Sequence, residues 1–159
     1  MRRMPIASTA GACALALVSA SGAFARAGER SAAETYPVAS ALCVKAHNGT
    51  LPPKLAASRT AVLGACDTLL NAYGPLVATV DGAQATLLST LSAQEGLVAA
   101  ACTKPVANVT ACRSARATAL RVDSAARTTE IAAIATFHTS VEANRNAFWT
   151  TIQSLRSAG

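Results

Sequence analysis

The last third of the chain lacks the residues that interrupt helices. Residues 106–158 contain neither Gly nor Pro, and both of these residues strongly disfavour a helix interior. Asn108 is a favourable N-cap residue for a helix that begins near Val109. We therefore predict one helix over residues 109–156, which at about 1.5 Å per residue would be about 70 Å long.

A second helical region of nearly the same length precedes it. This region starts between Pro53 and Ser58 and runs to about Ala101. Its apolar residues recur at the spacing of one helix face, and they are Val62, Leu69, Leu76, Val80, Leu87, Leu91 and Val98. Gly74-Pro75 interrupts the region, because Pro removes a backbone donor and clashes with the preceding turn. We expect a kink or a break at that point.

A shorter helix comes first in the mature chain. Helical spacing extends from Ser31 or Ala32 to Ala46. Gly49 then supplies the left-handed residue that commonly follows a helix. The Pro52-Pro53 pair predicts a turn or loop, because each proline restricts the residue before it.

Residues 1–25 have the pattern of a removable export signal. Two arginines near the start are followed by an apolar stretch, densest over residues 10–18, and then by Ala23-Phe24-Ala25, which fits a cleavage site. The apolar stretch is shorter than the ~20 residues that span a bilayer. We therefore predict a signal peptide at 1–25 and a single helical domain at 26–159, secreted or periplasmic, with no membrane span.

Signal removal leaves four of the five cysteines, which are Cys43, Cys66, Cys102 and Cys112. An even number of cysteines in an exported chain predicts two disulfides. Zinc sites usually need C-x₂-C spacing, and the gaps here are 22, 35 and 9 residues. We therefore expect disulfides and no metal.

The pairing follows from the match in length between the two long helices. Cys102 and Cys112 lie almost symmetrically about the turn at residues 104–108. In an antiparallel hairpin they face each other across its closed end, so we pair them, and Cys43 pairs with Cys66 by elimination. Each bridge adds roughly 3 kcal/mol by restricting the unfolded chain.

These elements predict an all-α fold. It is a long, coiled-coil-like antiparallel hairpin with the short first helix packed at its open end, a disulfide-stapled three-helix bundle. If residue 102 opposes 112, then 66 opposes about 148 and 73 opposes about 141. Four aromatic residues then gather at the open end, and they are Tyr36, Tyr73, Phe148 and Trp149.

The other end of the hairpin, residues 83–130, is then a thin Ala-rich arm. Such an arm buries little apolar area and is marginal alone, so it needs the disulfide, a partner or self-association. The alternative architecture is a compact four-helix bundle. In that fold Gly74-Pro75 is a turn, and the last helix breaks near Thr128-Thr129.

One candidate site lies on the last helix. Its apolar residues fall at heptad-like spacing, at Ile131, Ile134, Val141, Phe148, Ile152 and Leu155. His138 and Arg145 occupy intervening positions of this register. Together with Tyr73, Phe148 and Trp149 they form a candidate site for a small apolar or haem-like ligand. The competing interpretation is a histidine at the edge of the core, because no second His lies three or four residues away to join it in a metal site.

A second candidate site lies near the turn of the hairpin. Arg113 and Arg116 share a face of the last helix with Arg127, and with Lys104 they form a candidate partner-binding site. Asp123 is interleaved with them, four residues before Arg127. The competing interpretation is a solvated face with local ion pairs worth about 0.3 kcal/mol each.

The sequence carries no motif for catalysis. We find no G-x-S-x-G, H-E-x-x-H, C-x-x-C or phosphate loop, so we expect no enzyme activity and no cofactor. The mature charge of +4 does not support nucleic-acid binding. We expect a non-catalytic exported protein that acts by protein–protein contact, as an adaptor, chaperone-like or structural module of the cell envelope. The alternatives are a ligand carrier and a small exported all-helical enzyme.

Overall fold

The computed structural model describes residues 31–103 and 108–158, and every regular element within those ranges is a helix. The elements are α1 (Ala32–Thr35), α2 (Pro37–His47), α3 (Pro53–Ala56), α4 (Arg59–Ala101) and α5 (Val109–Ala158). The prediction of an all-α fold is confirmed. The predicted signal peptide and Lys104 lie outside the described residues.

The first predicted helix begins where expected but is interrupted. The Ser31 hydroxyl accepts a hydrogen bond from the Glu34 amide at 3.2 Å, and the Glu34 carboxylate accepts one from the Ser31 amide at 2.8 Å. This capping box starts α1. The prediction of one continuous helix to Ala46 is wrong, because Pro37 excludes Tyr36 from helical geometry and starts α2 itself.

The end of α2 is fixed by two independent devices. Gly49 has a φ of 71°, and the Thr50 amide donates to the Lys45 carbonyl at 2.8 Å, which together make a Schellman turn. Arg59, the first residue of α4, donates to the carbonyls of Ala46 and His47, each at 2.7 Å. A cation at this end also complements the helix dipole. The predicted stop at Gly49 is confirmed, whereas the sequence analysis did not identify Arg59.

The two long helices are continuous and lie against each other. Pro75 lies inside the 43-residue α4, and the 50-residue α5 passes through Thr128-Thr129 without a break. The turn and the break that the four-helix alternative requires are therefore not present. Asn108 caps α5, because its side-chain oxygen accepts from the Ala111 amide at 2.9 Å.

Both predicted disulfides are confirmed. Cys43 and Cys66 join α2 to α4, with their Cα atoms 5.7 Å apart. Cys102 and Cys112 close the hairpin at its turn, with their Cα atoms 4.9 Å apart. Intramolecular disulfides of this kind are typical of oxidising, extracellular settings.

The hydrophobic core is confined to the open end of the hairpin, which we call the base. One cluster contains most of the buried residues that the structure describes, and they come from Tyr36, from α2, α3 and α4 up to Val80, and from α5 between Phe137 and Ile152. Beyond it, residues 81–131 form the arm, and the buried residues in its described part are Leu87, Cys112 and Ala119. The arm is therefore as thin as the sequence analysis expects.

The buried face of α5 differs from the heptad register. Phe148 and Ile152 are buried as predicted, but Ile131 is 65% exposed, and His138 and Arg145 are exposed. Phe137 lies in the core in the place given to His138. A heptad repeat advances every 3.5 residues on average and a straight helix turns every ~3.6, so the two drift by about 20° per heptad. The assignment fails at Arg145, His138 and Ile131, whereas Val141 and Ile134 are partly buried against the core.

Helix α4 also meets the criterion for a membrane span by length and composition alone. It contains an 18-residue stretch with mean hydropathy 1.2, of which 22% is buried. The core helix of a soluble protein passes the same test, so the absence of a membrane span stays a prediction.

We expect Gly82→Ala and Gly96→Ala each to stabilise the fold. Both glycines are exposed helix-interior residues, and a Cβ at either would meet no atom within 4 Å. Alanine should raise the free energy of unfolding by about 1 kcal/mol and the Tm by a few degrees, measured by urea and thermal unfolding. Gly49→Ala is the matched control and should destabilise, because its φ is positive. Loss of stability in the Gly82 or Gly96 variants would contradict this account of α4.

Candidate functional site

Aromatic rings link three segments of the base. The Tyr36 and Tyr73 rings lie 5.9 Å apart, and the Tyr73 and Phe137 rings 6.0 Å apart, both edge to face. These residues belong to the α1–α2 junction, α4 and α5 respectively. The Thr35 hydroxyl also donates to the Tyr73 hydroxyl at 3.0 Å. Edge-to-face pairs add about 0.5–1.5 kcal/mol beyond area burial, so this chain of rings fixes α1 and α2 on the hairpin.

Two further aromatic residues lie in the same core. The Phe148 and Trp149 rings pack edge to face at 5.0 Å, with Phe148 buried and Trp149 packed against the cluster. The predicted gathering of four aromatics in the base is therefore observed. The sequence analysis missed the fifth, Phe137, and its contact with Tyr73 shifts the predicted pairing of residue 73 with about 141 by roughly one helical turn.

The structure does not gather the predicted ligand site around a cavity. His138 is exposed and touches the ring of its neighbour Phe137, with centroids 5.6 Å apart. Arg145 is exposed as well. An open hollow of about 730 Å³ lies at the end of the base, and none of the five predicted ligand residues lines it. Its lining residues are Pro52, Pro53, Lys54, Leu55, Gln153, Arg156 and Ser157.

The pKa of Tyr36 is shifted by its surroundings in the hydrophobic core. Its side chain is 2% exposed, and this burial raises its pKa above the usual 10.0, with a smaller rise from Tyr73. The Asn144 side chain and the Arg145 charge act in the opposite direction. The Tyr36 hydroxyl is buried, and among the described residues it has no hydrogen-bond partner of standard geometry.

Metal ligands do not cluster in the part of the chain that the structure describes. No group of three His, Cys, Asp or Glu residues is placed to hold an ion there. The four mature cysteines are paired in the two disulfides, so none of them is a free thiolate.

Exposed aliphatic side chains lie mainly on the arm. Seven large hydrophobic residues of the described ranges are strongly exposed, and two of them, Val38 and Val44, lie on α2. The other five lie between residues 88 and 131, namely Leu88, Leu97, Val109, Leu120 and Ile131. The arm therefore buries few apolar residues and exposes several.

Four of these five residues share one side of the hairpin. Leu88 and Leu120 each follow a buried residue, Leu87 and Ala119. The residue that directly follows a buried one lies about 100° around the helix from the interface. In an antiparallel pair this rotation points to the same side on both helices, so Leu88 and Leu120 share one side. Val109 and Ile131 lie eleven residues, or about three turns, either side of Leu120. We call Leu88, Val109, Leu120 and Ile131 the arm stripe.

Leu97 lies on the opposite side of the arm. It is ten residues after Leu87, which at about 100° per residue places it about 80° from the interface in the other direction. It is 60% exposed, close to the 57% of Leu88. Leu97 is therefore a matched reference for residues of the stripe.

The arginines of the predicted partner site lie beside the arm stripe. Arg113 and Arg116 are exposed, and so is Arg127. Among the described residues, Asp123 and Arg127 do not form the local ion pair that their spacing offers, and one carboxylate oxygen of Asp123 is buried without a hydrogen-bond partner. These charges are therefore not neutralised by their neighbours on the same helix.

Comparison with known proteins adds no further assignment. The chain matches no protein-family model, and no curated protein or solved structure resembles it significantly.

We expect the stability of the protein to fall as the pH rises above about 10, in part through Tyr36. Its folded-state pKa is raised, so its contribution is fully present below the unfolded value near 10 and is lost as the pH rises through the folded value. Tyr36→Phe keeps the ring and removes the ionisation. Urea unfolding followed by Trp149 fluorescence should give a shallower pH dependence for this variant above pH 10. Equal slopes for the two proteins would contradict the assignment.

Proposed function

We propose that this is an exported, non-catalytic protein that acts by protein–protein contact through its arm. The observation that supports the proposal is the arm stripe, four exposed aliphatic residues on one side of a two-helix segment. The stripe residues of α5 are about three turns apart, so the proposed interface combines them with the exposed arginines between them rather than with one contiguous apolar patch. The disulfides are consistent with an exported protein.

The arm gains more from a partner than the base does. A fully buried leucine or isoleucine contributes about 1.5–3 kcal/mol relative to an exposed one, and Leu120 is 71% exposed. The arm forms its two-helix interface with small residues such as Ala119, which leave little apolar area in the seam. Covering the stripe would therefore stabilise the arm.

The base supplies the fixed end from which the arm projects. In this proposal α2 and the two long helices form the three-helix bundle of the base, with Cys43–Cys66 and the Arg59 contacts holding α2 in place. The Cys102–Cys112 bond holds the two arm helices together at the turn. A rigid base with a stapled, uncovered arm suits an adaptor, chaperone-like or structural module.

Site-specific photo-crosslinking in the native exported fraction tests the proposal. A photo-reactive amino acid at position 120 should give discrete covalent adducts, because the proposed partner covers this residue. The same group at position 38 is the matched control, since Val38 is also an exposed aliphatic residue but lies on α2 in the base.

Mass spectrometry of the adducts then identifies what lies on the arm. Adducts at position 120 and none at position 38 would support the proposal. Adducts at neither position, from protein with intact disulfides and normal helix content, would overturn it.

A further inference from the structure

We infer that the partner of the arm stripe is a second copy of this chain, with the arms side by side and their turns at the same end. This inference rests on the proposed function and names its partner. In the resulting dimer, α4 of each copy lies against α5 of the other.

The two helices carry opposite charge. After Arg59, α4 contains no basic residue, and its acidic residues are Asp67, Asp81 and Glu95. Helix α5 carries six arginines against three acidic residues. A face that presents one acidic and one basic helix is self-complementary, provided that the second copy places its basic helix on the acidic one.

The arm is close to electrically balanced. Residues 81–131 carry Lys104 and four arginines against four carboxylates, a net charge of +1; the arginines and carboxylates are Arg113, Arg116, Arg121, Arg127, Asp81, Glu95, Asp123 and Glu130. A surface that binds a polyanion such as a membrane or nucleic acid carries a large excess of positive charge. A net charge of +1 is no such excess, which favours a partner with the same mixture of charges.

These charges are available for contacts between copies. Among the described residues none of the eight forms an ion pair within the chain. Glu95 and Arg116 are both exposed and lie on the stripe side of their helices at about the same distance from the turn. They are the residues that we expect to pair between copies.

Two-fold symmetry selects one arrangement of the arms. A closed dimer buries the same surface of both copies. A two-fold axis parallel to the arms places α4 on the partner's α5, so that opposite charges meet. An axis across the arms places α4 on α4 and α5 on α5, so that like charges meet. The charges therefore favour parallel arms, in which Val109, Leu120 and Ile131 of each copy lie on α4 of the partner.

The size of the arm fits a modest interface. About twenty residues of each helix give a length of about 30 Å and a width of about 20 Å for the helix pair, or on the order of 600 Å² per copy. Stable interfaces usually bury about 800 Å² per partner. We therefore expect a concentration-dependent dimer rather than a permanent one.

Sedimentation velocity of the exported, processed chain over a concentration series tests the inference. The wild type should shift from monomer to dimer as concentration rises. Leu120→Asp should raise the dimer Kd at least ~10-fold, because it buries an unpaired charge in the interface. Leu97→Asp, the matched change on the opposite side of the arm, should leave the Kd unchanged. Circular dichroism and thiol titration confirm that each variant is folded and disulfide-bonded.

A charge-reversal cycle tests which helices meet. Glu95→Arg and Arg116→Glu should each weaken the dimer, and the double variant should restore it. Single variants that change unfolding of the monomer but not the dimer Kd would overturn the pairing of α4 with α5, as would a double variant weaker than either single one.

The two proposals fail in distinguishable ways. A strictly monomeric wild type overturns the second-copy inference, and if position 120 then crosslinks to a different protein, the proposed function stands. A monomer without adducts at position 120 overturns both. Equal effects of Leu97→Asp and Leu120→Asp on the Kd would show that the arm stripe is not the interface.

Discussion

The attachment of α2 to the hairpin determines where this molecule has a core. The hairpin alone can bury only one seam between α4 and α5, whereas a third helix closes a core against both. Helix α2 has 11 residues and α4 has 43, so α2 can cover only a fraction of the hairpin. Cys43–Cys66 and the Arg59 contacts hold α2 at the open end, and the buried cluster lies there. The division into base and arm thus follows from a mismatch in helix length.

The long helices tolerate many threonines because the hydroxyls bond to their own backbone. In both α4 and α5, threonine hydroxyls donate to the carbonyl four residues earlier, as Thr79 does to Pro75 at 2.9 Å and Thr136 to Ala132 at 2.9 Å. This bond satisfies the hydroxyl without a tertiary partner. Helix α4 carries only four charged residues, and it reaches the hydropathy of a membrane span by length and composition alone.

Local rules predicted the ends of the helices and the disulfides, and they failed where tertiary packing decides. Gly49, Asn108 and the symmetric position of Cys102 and Cys112 each specify structure within a few residues. Pro75 lies within a continuous helix, so the break is excluded and the expected kink stays a prediction. Arg59 bonds to residues more than ten positions away, which spacing does not reveal. His138 and Arg145 were placed in the core by a heptad repeat that a straight helix does not follow.

Folding of a single chain does not require apolar side chains in the arm stripe. Leu120 loses little of its surface to the fold, so its side chain contributes little to the folding of a single chain. A polar residue at position 120 would preserve the helix with almost no loss of folding free energy, since helix propensities differ by less than about 1 kcal/mol among ordinary residues. Val109 and Ile131 repeat the arrangement three turns away on either side. In the function that we propose, these three aliphatic residues on one line are the surface that a partner covers, on a segment of the hairpin against which no third helix packs.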